Sequence, residues 1–386
     1  MNKLSIVCAS SLAGGREAFS TIGQVTILPE SGIDANAIRG AAVLATRSKV
    51  KVNDALLTGC SLSFYGTATA GTDHVDVDAL DRRGIAWVSA PGSNANSVAE
   101  YIIAALARIG LNQQTEWRGK NIAIIGAGHV GSRLALLAQA LGMHVILNDP
   151  PLAEKSGSPV YRPLAEALAA ADVVTLHVPL TDGGAHATRG MANAHFFAQM
   201  KKGVVFMNAS RGEVVCEKEL LPAADAGRFS ALVLDVFEQE PHINPVVLAA
   251  ATIATPHIAG YSLDARLNGT AMVYRAVCEH FGIEPAWEIP EEKNPRIMNG
   301  PSGHAGSFVA YKAITAAYDP IADDARLRHP AAGISLGRHF QDLRLHYAER
   351  HEFRHFEAQH EPGAHPDELH MLKNLGFGVK PRARAG

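Results

Sequence analysis

Three residues of the kinds that hold carboxylates and move protons stand in or next to loops that follow short apolar runs: Arg211 in NASRG, Glu240 in DVFEQEP and His257 in TPHIAGY. An arginine fork holds a carboxylate through two parallel hydrogen bonds. Histidine titrates near neutrality, so it can take up a proton at working pH, and a neighbouring carboxylate can orient the ring and stabilise its cation. Given a hydride acceptor, such a set suits oxidation of a 2-hydroxy acid, with the arginine anchoring the carboxylate and the histidine removing the hydroxyl proton. Each residue alone has an ordinary explanation. Arginine after a strand packs or faces water, glutamate before a proline is a solvated loop charge, and histidine in a turn satisfies nearby polar groups.

A hydride acceptor has its own signature. GAGHVG places Gly126, Gly128 and Gly131 in G-x-G-x-x-G spacing, between the apolar NIAII and the helical run SRLALLAQALG. The first glycine permits a tight turn, the second lets a pyrophosphate approach the backbone, and the third lets the helix pack closely. The helix N-terminus adds unpaired N–H groups and partial positive charge. About 20 residues on, where such folds carry an acidic residue for the ribose hydroxyls, the next run ends in Asn148 and Asp149. Asp149 would repel a 2'-phosphate, so the expected cofactor is NAD rather than NADP. The bland alternatives are a glycine turn that merely packs helix on strand, and a strand-end aspartate before Pro150 and Pro151.

The elements that must position these groups follow from pattern. Apolar or β-branched runs at Leu4 to Cys8, Ala41 to Ala45, Ile122 to Ile125, Val145 to Leu147, Val173 to Leu176, Val204 to Met207 and Ala231 to Leu234 read as buried strands. After residue 120, helical patterns separate most of them, which is the alternation of a doubly wound parallel α/β sheet. A second α/β unit precedes it and ends in APGSNAN. Apolar helices from about Val98 to Ile109 and Leu263 to Phe281 read as a bridge between two lobes and as a return to the first. The expected division is therefore 1–95 and 256–285 as one discontinuous domain, 96–255 as the nucleotide-binding domain and 286–386 as a tail behind the Pro- and Gly-rich stretch from Glu284 to Gly306. Helical patterns in the tail lie around Val309 to Tyr318 and His339 to Tyr347, with a strand near Phe353 to Phe356.

Composition excludes several classes. With 386 residues, 47% hydrophobic and 19% charged, the chain can bury more than one core and is not globally disordered. A net charge of -3 and the lack of a basic stripe argue against nucleic acid. No window reaches the ~20 apolar residues of a membrane span, and the N-terminal apolar stretch is too short for a secretory signal. Cys8, Cys60, Cys216 and Cys278 form no CxxC pair or compact framework, which fits a reducing cytoplasm. Many of the 18 histidines fall after Pro320, with His351 and His355 four apart, but no accompanying ligand set has metal spacing, so no metal is expected.

In order along the chain, GAGHVG, Asp149, HVPL, NASRG, DVFEQEP and TPHIAGY resemble the D-isomer-specific 2-hydroxyacid dehydrogenase family over roughly the first 280 residues. By that resemblance Arg211 is the carboxylate anchor, Glu240 the histidine partner and His257 the acid/base. The resemblance also implies cofactor contacts at His129, Val130, Val178, Pro179, Ala209, Asp235 and Gly260, and a flavodoxin-like substrate domain. TRSKV, FYGTATAGTDHVD, SAPGSNA and HIAGYS, with YDPIADDARLR, FQDLRLHYAERHEF and NLGF in the tail, are similar to a branch of the family that takes a small phosphorylated 2-hydroxy acid and dimerises through a small α+β C-terminal domain. Ser48, Thr69 and Tyr261 then become substrate contacts. The loop Thr67 to Thr72 could also offer backbone N–H groups to an anion.

The chain departs from that branch at Ala9 to Ser11, where an acidic stretch is usual, at Val178, usually Thr, and at Asn268, usually Arg, although Arg266 is retained. These positions bear on phosphate contacts more than on the reaction. Two other readings stay open: a dehydrogenase for 3-phosphoglycerate or an unphosphorylated 2-hydroxy acid, and a non-catalytic NAD-sensing protein of the kind found among corepressors that resemble this family.

Overall fold

The computed structural model describes residues 3–292, 294–300, 308–361 and 363–382. The chain forms two compact units, Met1–Asn94 with Tyr261–Lys293, and Ala95–Gly260 with Asn294–Gly386.

In the first unit, β1 (Leu4–Ala9), β2 (Gly23–Leu28), β3 (Val43–Thr46), β4 (Phe64–Thr67) and β5 (Ala86–Val88) form a parallel sheet in the order β2-β1-β3-β4-β5. This is the flavodoxin-like order. Strands β3 and β4 are buried at every position, as expected of parallel strands covered on both faces. Strand β4 escapes a pattern reading because Gly66 interrupts it. A Cβ there would lie 2.2 Å from Val273 Cγ1, so glycine is what lets the helix Leu263–Phe281 lie against the strand. That helix starts at Ser262, whose hydroxyl accepts from Ala265 N–H, and stops at Gly282 with φ 63°.

The second unit contains β6 (Asn121–Ile125), β7 (His144–Asn148), β8 (Val173–Leu176), β9 (Val204–Asn208), β10 (Phe229–Leu234) and β11 (Ile253–Ala254), a parallel sheet ordered β11-β10-β9-β8-β6-β7. Tyr161 adds a single parallel bridge to Leu147 beyond β7. Counting that bridge as a vestigial third strand restores the doubly wound dinucleotide-binding order, whose topological switch lies between β6 and β8. The helix Ala95–Gln113 is buried on nearly every side. It packs on the helices His129–Ala140, Phe308–Ala317 and Pro320–Arg328.

The tail belongs to this second unit. Among the described residues it folds as a three-stranded parallel sheet of β12 (Arg296–Asn299), β13 (Phe356–His360) and β14 (Gly378–Pro381) with four helices, Phe308–Ala317, Pro320–Arg328, Leu336–Leu345 and Pro366–Leu375. The expected strand start at Phe353 is a 3₁₀ turn, Phe353–His355, and β13 begins directly after it, at Phe356. Leu327 and Phe340 lie in the same apolar cluster as Leu234, Phe237 and Val247. Trp117 N–H donates to Tyr311 Oη at 2.9 Å, and the buried Arg350 donates to the carbonyls of Ser97 and Ala259 while lying 4.5 Å from the Tyr318 ring centroid. No helix among the described residues is long and apolar enough to cross a membrane.

Candidate active site

At the carboxyl end of β6, the three glycines do different work. Gly126 has φ 93°, and a Cβ there would be 2.7 Å from the His177 carbonyl; at Gly131 it would be 2.0 Å from the Gly126 carbonyl oxygen. Gly128 faces open space and begins the helix His129–Ala140 with no side-chain cap. Two glycines thus close the turn on β8 and on the helix, while the middle one leaves an uncovered helix N-terminus. His129 beside it is exposed, Val130 half-buried. Across the switch point, Val178 is half-buried and Pro179 exposed, while the ring of His177 bonds Thr175 Oγ1 at 2.9 Å. Burial holds that ring down at about 3, so it is neutral. The Asp149 carboxylate accepts from Ala127 N–H at 2.9 Å with one oxygen and caps the helix Pro150–Ser156 through Leu152 N–H at 3.0 Å with the other. Each oxygen retains a further lone pair.

The loops after β9, β10 and β11 carry the charged residues. After β9, Asn208 donates to the Arg211 carbonyl at 2.9 Å and accepts from Ser210, which shapes the half-buried turn around Ala209. Arg211 Nη1 donates to the Ser210 carbonyl at 2.8 Å. Gly212 then passes so close to the next loop that a Cβ would stand 1.8 Å from the Phe237 carbonyl oxygen. After β10, Asp235 turns inward. Its carboxylate accepts from Thr255 Oγ1, Ile258 N–H and Ala259 N–H at 2.7, 2.8 and 3.0 Å, and its backbone carbonyl accepts from His257 N–H at 2.7 Å. Burial raises its carboxyl pKa. Asp235 therefore builds the turn that presents His257, whose φ of 54° puts it in the left-handed region.

Glu240 Oε2 meets His257 Nδ1 at 2.8 Å, and Glu240 Oε1 accepts from Phe237 N–H at 3.1 Å. Their side chains are 18% and 31% exposed, enough shelter to strengthen the pair. Burial pushes the Glu240 carboxyl up, but His257 and then Arg344 outweigh it and hold the group below the usual carboxylate value. With Nδ1 engaged by Glu240, Nε2 is the other ring nitrogen that can exchange a proton. Gly260 is half-buried just beyond.

In the first unit, Ser48 is exposed after β3, next to Arg47, whose guanidinium lies 5.2 Å from the Tyr261 ring centroid. The loop after β4 is braced by hydroxyls: Thr69 Oγ1 is 2.8 Å from Thr67 Oγ1 and donates to the Gly71 carbonyl at 2.9 Å, and His74 Nε2 is 3.0 Å from Thr67 Oγ1. Arg266 Nη2 reaches the Ser11 carbonyl at 3.4 Å, and its buried Nε meets no acceptor among the described residues. Asn268 bonds the Ser93 carbonyl at 3.4 Å.

Residues 106–259 match the sequence profile described as D-isomer specific 2-hydroxyacid dehydrogenase, NAD binding domain. The chain is also 37% identical over 380 residues, 97% of its length and 99% of theirs, to proteins of Yersinia pestis and Yersinia pseudotuberculosis named erythronate-4-phosphate dehydrogenase. It belongs to the D-isomer-specific 2-hydroxyacid dehydrogenase family. The D-lactate dehydrogenase of Aquifex aeolicus, solved with NAD and lactic acid, is 27% identical with a TM-score of 0.60, covering 72% of this chain and 96% of that one. The NAD-bound 3-phosphoglycerate dehydrogenase of Entamoeba histolytica shares the fold at 21% identity and a TM-score of 0.62, covering 72% and 96%.

As a member of this family the chain is an NAD-dependent dehydrogenase. The glycine loop fits that cofactor, since the bare helix N-terminus at Gly128 can receive a pyrophosphate. Sequence reasoning missed the residues that set geometry. Asn208, Gly212 and Thr255 lie inside NASRG and TPHIAGY, but what each of them does shows only once the chain is folded. Arg344, 3.7 Å from Glu240 Oε2, comes from the tail segment FQDLRLHYAERHEF, whose resemblance assigned it no role at the site. His351 in the histidine-rich tail bonds Glu349 and Arg296 at 2.8 and 2.7 Å.

Proposed function

We propose that the protein oxidises 4-phospho-D-erythronate at C2 to (R)-3-hydroxy-2-oxo-4-phosphooxybutanoate, a step toward pyridoxal 5'-phosphate. The observation that carries the reaction is the Glu240–His257 hydrogen bond of 2.8 Å on the loops that follow β10 and β11. His257 Nε2 takes the hydroxyl proton, Glu240 steadies the ring and its developing charge, and Arg211 anchors the carboxylate. Gly126, Gly128, His129, Val130, Gly131, Asp149, Val178, Pro179, Ala209 and Gly260 line the cofactor side, and Asp235 acts through the turn it builds. Bound NAD supplies the hydride acceptor.

The choice of substrate rests on similarity to the Yersinia proteins over nearly the whole chain, tail included. Within the first unit Ser48, Thr69 and Tyr261 are assigned to the substrate. The buried, unmatched Arg266 N–H is the kind of donor an anionic group satisfies. We assign 1–95 with 256–285 to substrate binding, 96–255 to NAD and 286–386 to homodimer contacts. The setting is cytoplasmic, in keeping with four free cysteines and a partner set of small molecules and a second copy. NADH formation by the purified protein on 4-phosphoerythronate, 3-phosphoglycerate, lactate and glycerate tests the substrate. Highest kcat/KM on any of the other three would overturn it. Sedimentation across a concentration series tests the dimer.

A further inference from the structure

The helix Leu336–Leu345 lies on the loop that carries Glu240, and one face makes the contact. Gly337, Phe340 and Arg344 are three and four residues apart, so they stack along a single helical stripe. A Cβ at Gly337 would stand 3.2 Å from the Pro241 carbonyl oxygen and 2.7 Å from the His242 ring. Phe340, wholly buried, packs edge-on against Phe237 with ring centroids 6.1 Å apart. Arg344 Nη1 is 3.7 Å from Glu240 Oε2, the same oxygen that meets His257, and its guanidinium leans on the Phe340 ring. Phe237 N–H in turn holds Glu240 Oε1. The stripe therefore touches the Glu240 loop at its start, its end and its carboxylate.

We propose that Arg344 is a positioning residue for the hydroxyl-proton transfer: from the tail it shares Glu240 Oε2 with His257 and sets how much negative charge Glu240 presents to the ring. This rests on the assignment of Glu240 and His257 made above. Other charged groups surround the pair. Asp235, whose carboxylate faces Thr255, Ile258 and Ala259, is the second acid near His257. On the Glu240 loop, Glu238 is tied to the Glu217 backbone and side chain, and His242 faces Gly337. Arg338 and Asp342 on the helix pair with each other at 3.8 Å on an open face, and Arg211 stands on the adjoining loop. Arg344 is the cation paired with Glu240, and its presence there favours the carboxylate form.

The sign of the effect is definite. Oxidation needs an unprotonated imidazole. With the Arg344 cation gone, Glu240 favours protonated His257 more strongly, so the acid limb of the kcat profile moves to higher pH. In full-length Arg344→Gln the limb should rise by about half a pH unit or more, lowering the rate below the limb about threefold, while KM on the high-pH plateau stays within about twofold. Arg344→Lys should restore most of the limb. NAD binding, followed by fluorescence, checks that each variant is folded. Glu240→Gln, run in parallel, should move the limb the other way. A limb unmoved in both variants means the Glu240–His257 assignment has failed, and this proposal with it. A limb that moves in Glu240→Gln but not in Arg344→Gln, or a raised plateau KM with no shift, overturns the role of Arg344 alone.

Discussion

His257 sits on a backbone that most residues avoid, and its ring is held by a carboxylate that two loops and a helix keep in place. Removing such a base usually costs ~10²- to 10⁴-fold, so His257→Ala should lose that much turnover while NAD still binds. Arg211→Lys should raise KM as well as lower kcat, because an ammonium has no bidentate fork. Turnover near wild type for His257→Ala, with its acid limb unchanged, would remove the base from the mechanism. Gly212 makes a sterner geometric claim. Any Cβ would collide with the Phe237 carbonyl, so Gly212→Ala should part the Arg211 and Glu240 loops and cost ~10²-fold in turnover, with NAD affinity retained. His177 has a consequence for stability. It stays neutral in the fold down to about 3, against an ordinary 6.5, so only the unfolded chain takes up its proton between those values. Stability contributed by the neutral ring is complete above about 6.5 and falls by ~1.4 kcal/mol per pH unit below it. Urea midpoints measured from pH 7 to 5 should drop, and His177→Asn should flatten the drop.

Among the elements, the short helix Pro150–Ser156 is tied to the glycine loop through one residue. Asp149 caps it and also holds Ala127 in the glycine loop. Asp149→Ala should narrow the preference for NAD over NADP and also cost about 1 kcal/mol, as losses of N-caps do. Equal kcat/KM for both cofactors in the wild type would count against Asp149 as the discriminator. The strands were legible where apolar runs are unbroken: β8 matches the pattern reading residue for residue, and β6, β7, β9 and β10 extend it by one or two. Strands β2, β4, β5, β11, β12 and β14 escape the pattern. β4 carries Gly66, and β11 has two residues, too few for any periodicity.

For the whole molecule, the tail is the part that folding redefines. A stretch behind a Pro- and Gly-rich segment reads as an appendage, yet from Asn294 on it clusters with 95–260 and places Leu327 and Phe340 in that unit's core. Losing one buried phenylalanine typically costs about 3–5 kcal/mol, against a total stability of about 5–15. A chain ending at residue 293 should therefore lack a cooperative melting transition and bind NAD poorly. A fragment that melts sharply near the parent Tm and keeps NAD affinity would show the tail to be dispensable.

The sequence by itself determined the family and the sheet: motifs that carry three glycines, an arginine, a glutamate and a histidine, in that order, mark the chain as a D-isomer-specific 2-hydroxyacid dehydrogenase, and alternating apolar runs dictate a parallel sheet. Tertiary structure alone decided what aims them. That Gly212 must be bare, that Asp235 builds a turn, and that Arg344 shares an oxygen with His257 depend on segments distant along the chain being brought together. Such contacts leave no local period, because steric fit and charge act through space while spacing in a sequence reports only neighbours along the chain.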